Sequence, residues 1–184
     1  MNMNCSNHKS NSAEPDSKQY GIFVFFTTLM FYMMTMAPTV IWGDSADFAL
    51  KVHDLLLDPA ADGHPLYVLL GRVFSWLPGE LAVNLNFMSV FFAALAVLLV
   101  YLITERITGW NIPAAVAAVS FTLSHTFWLH SATTEVYTVN AFFVALIIWL
   151  LLKWKQDINR WGWLYGAFFV FGLSLSHHLI IGLG

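Results

Sequence analysis

The side chains able to do chemistry gather at four places in this chain. Asp44 and Asp47 follow a long apolar stretch, and His64 and Arg72 bracket the start and middle of a second one. Glu135 stands just ahead of Tyr137 and Asn140, and His177-His178 lies close to residue 184. A carboxylate can accept the proton of an attacking hydroxyl, and an arginine's planar fork matches phosphate oxygens. Each residue also has a plainer reading. Asp44 or Ser45 sits where the N-cap of a helix belongs, and from spacing alone capping by Asp44 stands ahead of catalysis. Asp47 and Asp54 lie four residues before and three after Lys51, the spacing of helical ion pairs. Arg72 can snorkel to headgroups, His64 before Pro65 fits a turn, and Glu135 falls where a helix dipole favours an acid. Tyr137 and Trp128 fit an interfacial aromatic belt. Adjacent histidines point about 100° apart on a helix, so at most one of His177 and His178 is expected in a cavity. His125 and His130 are five apart, which is not the spacing of two ligands on one helical face, so no metal site is assigned.

The elements that must hold these residues are membrane helices. Of 184 residues, 58% are hydrophobic and only 10% charged, with mean hydropathy +0.66. Soluble domains carry about 25% charge, so a soluble enzyme is excluded. Net charge of −3 without a basic cluster excludes a nucleic-acid-binding domain. The single cysteine, Cys5, excludes an internal disulfide framework and a thiolate metal cluster. A crossing needs about 20 apolar residues. That ruler predicts spans over 20–42 (bent at Pro38), 85–103, 112–128, 136–152 and 163–184, with no internal repeat. Residues 1–19 read as a disordered polar tail and the first span as an uncleaved signal anchor. Between the first two spans, 45–58 has helical periodicity with Phe48, Val52, Leu55 and Leu56 on one stripe. The 13 residues 65–77 are too short to cross and read as a second interfacial helix. With that assignment Lys9, Lys18, Arg106, Lys153, Lys155 and Arg160 share one side, which is then cytoplasmic. The loop 43–84 and most of the acids and histidines face the lumen or periplasm. The expected fold is thus an all-α polytopic bundle of about five transmembrane helices and two interfacial helices.

Several short motifs occur in a telling order: Gly43-Asp44-Ser45-Ala46-Asp47-Phe48, then His64-Pro65-Leu66-Tyr67 through Gly71-Arg72, then Asn84-Leu85-Asn86. Phe127-Trp128, Thr134-Glu135-Val136-Tyr137-Thr138-Val139-Asn140 and His177-His178 follow. Together they resemble the N-terminal portion of the GT-C glycosyltransferases, and more narrowly the transmembrane protein 260-like protein O-mannosyltransferases (domain of unknown function 2723). Two features depart from that pattern: Asp47 stands where relatives often have Glu, and the segment around His64-Pro65 is shorter than usual.

The resemblance implies a GT-C-like module over 20–184 that moves a sugar from a polyprenyl- or dolichyl-phosphate donor to a protein hydroxyl outside the cytoplasm, with inversion. It implies Asp44 as base, with Asp47 second. His64, Arg72, Glu135, Tyr137, Asn140, His177 and His178 are its candidates for the donor phosphate or the substrates. No cofactor is implied, although a divalent cation serves some GT-C enzymes and not others. Family members are much longer, so the resemblance implies a fragment, or a chain that needs a missing C-terminal part or partner chain and is inactive alone. A transporter or channel subunit would instead line an ion path with Glu135, the histidines and the aspartates. A non-catalytic assembly protein would tolerate loss of Asp44.

Overall fold

The computed structural model describes residues 17–41, 44–57 and 63–177. The tail 1–16, Trp42, Gly43 and His178 lie outside these described residues. Among the described residues there are eight helices and no strand. They are α1 (Ser17–Thr35), α2 (Asp44–His53), α3 (Pro65–Phe74), α4 (Leu81–Thr108), α5 (Asn111–Thr122), α6 (His125–Ser131), α7 (Tyr137–Gln156) and α8 (Trp161–Leu175).

Helix α4 is the axis of the bundle. One of its faces joins Leu85, Met88 and Phe92 to Phe48 and Val52 of α2, Tyr67 and Val68 of α3, and Val139 and Phe143 of α7. Another joins Val90, Ala93, Val97 and Tyr101 to Tyr32 of α1 and to Ala114 and Ala118 of α5. Apolar residues all round are what a helix enclosed by others requires. The small side chains of Ala93, Ala94 and Ala96, fully buried, let neighbouring backbones approach closely. Lipid tails are as apolar as leucine, so close packing and interhelical hydrogen bonds carry the association of such helices.

Two helices are long and apolar enough to cross a membrane: α4, with 28 residues, and α7, with 20. The predicted third span is not continuous, because α5 and α6 meet at 66° around Leu123 and Ser124; taken as one broken span, they make a third. The break frees backbone carbonyls, and Tyr32 Oη answers one of them by donating to Thr122 O at 3.0 Å. Trp128 Nε1 donates across the same corner to Thr35 Oγ1, also at 3.0 Å.

The first predicted span is also corrected. Helix α1 stops at Thr35 and does not bend through Pro38, because a proline disfavours helical geometry in the residue before it. Its apolar part, Gln19–Thr35, and the 15-residue α8 are both shorter than the ruler asks. The predicted stripe on 45–58 holds for Phe48 and Val52, which are buried. It fails at Leu55 and Leu56, since α2 ends at His53, Leu55 turns into the left-handed region (φ 52°), and both leucines are exposed. Helix α3, at about 15 Å, is half a crossing long. Gly71 lets it lie against α2 and α4; a Cβ there would meet Val52 Cγ2 at 2.6 Å and Leu85 Cδ2 at 3.0 Å.

Charge separates by end. Arg106 of α4 donates to Gln156 Oε1 of α7 at 2.5 Å, and Lys153 lies over the rings of Trp149 and Trp163. The opposite end, where α4 and α7 begin and α8 finishes, carries α2, α3 and α6 together with Asp44, Asp47, Asp54, Glu80 and Glu135.

Candidate active site

Asp44 opens α2 and is exposed. The next residue, Ser45, is buried and its hydroxyl donates to Thr134 O at 3.1 Å. Thr134 immediately precedes Glu135, so one hydrogen bond joins the neighbours of two carboxylates separated by about ninety residues of chain. Glu135 is half-buried, and its backbone N–H donates to Ser89 Oγ of α4 at 3.3 Å. It lies two residues ahead of α7 instead of in that helix's first turn. Burial pushes its carboxyl above the ordinary range, and the negative charge of Asp44 adds to the effect. A helix N-terminus would favour the ionised form; here desolvation prevails.

Beneath the carboxylates the segments are laced together. Asn86 Nδ2 donates to Ala37 O at 2.9 Å and to Thr39 O at 3.1 Å, and Asn86 Oδ1 accepts from Thr134 Oγ1 at 2.6 Å. Ala37 N–H donates to Ala132 O at 2.8 Å. Tyr67 is fully buried between Phe48 and His177, with ring centroids 4.9 and 5.9 Å away. Burial pushes its phenol up, the nearby Ser89 hydroxyl opposes that shift, and the charge of Glu135 adds to it.

Two of the described histidines, His64 and His177, form a brace. His64, in the left-handed region at φ 47°, precedes Pro65 and caps α3; its Nδ1 bonds His177 O. His177 lies just past the end of α8, not within the helix as expected, and is fully buried. Its Nε2 is 3.0 Å from Val136 O, so the ring ties α8 to the residue after Glu135.

Four described candidates remain: Asp47, Arg72, Tyr137 and Asn140. Asp47 forms an ion pair with Lys51 at 2.6 Å, the helical pairing expected, while Asp54 contacts His53 at 2.7 Å. Arg72 is exposed on the last turn of α3 and has no ion-pair partner among the described residues. Tyr137 is exposed and packs on His130, centroids 4.5 Å apart. Asn140 Oδ1 is buried with no hydrogen-bond partner among the described residues. No three of the described His, Asp or Glu side chains converge as a metal-ligand group. A groove of about 660 Å³ between α1 and α5, lined by Phe23, Thr27, Ile112 and Val119 among others, touches none of the candidate residues.

Residues 44–183 match the model of the family described as protein O-mannosyl-transferase TMEM260 N-terminal domain. The chain belongs to that family. It is 28% identical over 134 residues to protein O-mannosyl-transferase tmem260 of Dictyostelium discoideum, covering 70% of this chain and 16% of that protein. It is 27% identical over 138 residues to protein O-mannosyl-transferase TMEM260 of Mus musculus, covering 73% of this chain and 19% of that one. The chain therefore spans less than a fifth of the length of either relative. No solved structure matches it.

The stretch matching the TMEM260 N-terminal domain begins at Asp44 and contains every candidate residue. Within it, sequence reasoning gave no site role to Ser45, Asn86, Ser89 and Thr134, although Ser45 was an N-cap candidate and Asn86 and Thr134 stand in its motifs. One signal was present. Asn86 is an amide near the start of a long apolar helix, and polar groups at such positions generally face the protein interior.

Proposed function

We propose that this chain is the N-terminal part of an integral-membrane, GT-C-type glycosyltransferase that moves a mannosyl-type sugar from a polyprenyl- or dolichyl-phosphate donor to a protein hydroxyl. What carries the reading is the Ser45–Thr134 hydrogen bond, which brings the residues next to Asp44 and Glu135 together at one end of the bundle, in a chain of this family. Asp44, the exposed carboxylate, accepts the proton as the acceptor oxygen attacks the anomeric carbon. The bond from that carbon to the lipid phosphate breaks, its electron pair leaves with the phosphate, and the configuration inverts. Positive charge builds on the sugar ring in an oxocarbenium-like transition state, and Glu135, when ionised, faces it. Arg72 is the group suited to the departing phosphate, and Asn140 Oδ1 offers an unused acceptor for a sugar hydroxyl. His64 and His177 hold the loop instead of touching substrate, Asp47 is occupied by Lys51, Tyr137 belongs to the aromatic rim, and His178 joins the candidates from the sequence alone.

In this reading the chain crosses the bilayer about five times, with its cationic end cytoplasmic and the loop 43–84 in the lumen or periplasm. Its partners are the lipid-linked donor, a protein acceptor and the rest of a longer protein. The direct test is transfer of radiolabelled mannose from lipid-phosphate donors to membrane extracts. The full-length protein should transfer, and Asp44→Asn should lose nearly all activity while inserting normally. Undiminished transfer by Asp44→Asn would overturn the reading.

A further inference from the structure

We propose that Asn86 is a positioning residue that sets where Asp44 and Glu135 stand relative to each other, an inference that rests on the reading of those two acids as the reacting pair. Its side chain is 1% exposed and uses both ends. Two carbonyls, Ala37 O and Thr39 O, can be met only by the NH₂ group, and the Thr134 hydroxyl is met by Oδ1. The first pair lies in the connection leading to Asp44; the third partner is the residue before Glu135. A single rigid amide on the central helix thus fastens both segments that deliver the acids. Two further bonds join the same segments, Ala37 N–H to Ala132 O and Ser45 Oγ to Thr134 O.

Ser45 joins the same two segments through a single bond to Thr134 O, whereas Asn86 makes three and ties both segments to the central helix. Ser89 reaches only the Glu135 side, and the histidine brace fastens α3 and α8 instead of the connection to α2. An aspartate at position 86 would keep the acceptor for Thr134 but turn a carboxylate toward two carbonyl oxygens, with no proton to give either. Alanine would leave both carbonyls and the Thr134 hydroxyl without partners.

The test compares Asn86→Asp and Asn86→Ala with Thr35→Val in the full-length membrane protein. Thr35→Val removes a different interhelical bond at the same end, that of Trp128, and touches neither acid. Two readouts are needed. With mannosyl lipid phosphate as donor, both Asn86 variants should lose about 100-fold in kcat, the scale expected for reacting groups displaced by about 1 Å, with donor KM little changed. With Cys5→Ser as background and spin labels at Leu50→Cys and Leu129→Cys, both exposed, the distance distribution between α2 and α6 should broaden. Thr35→Val should alter neither. An unbroadened distribution in the Asn86 variants, or a loss confined to KM, overturns the proposal. If the unsubstituted protein transfers no sugar, the functional reading falls, and the label distances alone then decide whether Asn86 fixes the two segments.

Discussion

Asp44 is exposed and Glu135 half-buried, and burial governs how Glu135 should titrate. Glu135 holds its proton to higher pH than an ordinary carboxyl, first because it is buried and second because Asp44 is charged. The folded protein therefore binds this proton more tightly than the unfolded chain does. The stabilisation from Glu135 is complete below the ordinary carboxyl range and is lost as pH rises through the raised value. Asp44→Asn removes the second cause only, so infrared titration of the Glu135 carboxyl should move down yet stay above the ordinary range. A band unmoved by Asp44→Asn would mean the two acids do not sense each other. Asp47 should behave differently. Its partly exposed helical pair with Lys51 is worth only a few tenths of a kcal/mol, and Asp47→Asn should keep most sugar transfer where Asp44→Asn keeps almost none. The sequence made both aspartates visible as candidates and could not rank them by geometry. What separates them is the bond that Ser45, the neighbour of Asp44, makes to Thr134 O, about ninety positions away, to which no local pattern points.

The docking of α2 on the bundle depends on a missing side chain in α3. Gly71→Ala would drive a methyl against the stiff, fully buried Val52 and against Leu85. Overpacking of that kind costs about 1–3 kcal/mol, which a lower melting temperature in detergent would record. Val52→Ala in the same chain should recover part of the loss, because the two sites touch and their effects should not add. Tyr32→Phe should cost about 0.6 kcal/mol, the average for an interhelical hydrogen bond in a membrane protein, by releasing Thr122 O at the corner between α5 and α6. The elements themselves were partly legible. Phe48 and Val52 announce α2 through their helical period, and the brevity of 65–77 foretells a helix that does not cross. The corner at Leu123 was hidden because no charged residue, glycine or proline interrupts 114–128, and hydropathy cannot see a bend. Ser124, which stands as the N-cap of α6, was the available sign.

Across the whole molecule, the segregation of charge is the property most plainly written in the sequence. Arg106, Lys153, Lys155 and Arg160 lie at the end away from Asp44 and Glu135, beside Glu105 and Asp157, and neutralising all four to Gln should weaken the preference for one orientation. Glycosylation reporters placed on the loop 43–84 would measure the mixture; a single unchanged orientation would show that these cations do not set it. The span count was less legible, since α1, α8 and the bent pair fall short of a clean crossing by length alone. The lacing around Asn86 also has a meaning in time. Chains are made from the N-terminus onward and fold in that order, so both carbonyls that Asn86 meets, at Ala37 and Thr39, are already present when α4 emerges. The Thr134 hydroxyl arrives 48 residues later. Until then Ser45 has nothing to bind at that position and Asp44 stands without its counterpart. The nascent protein can seat its first helices against α4 early, yet its paired acids come into being only when the α6–α7 connection closes over them.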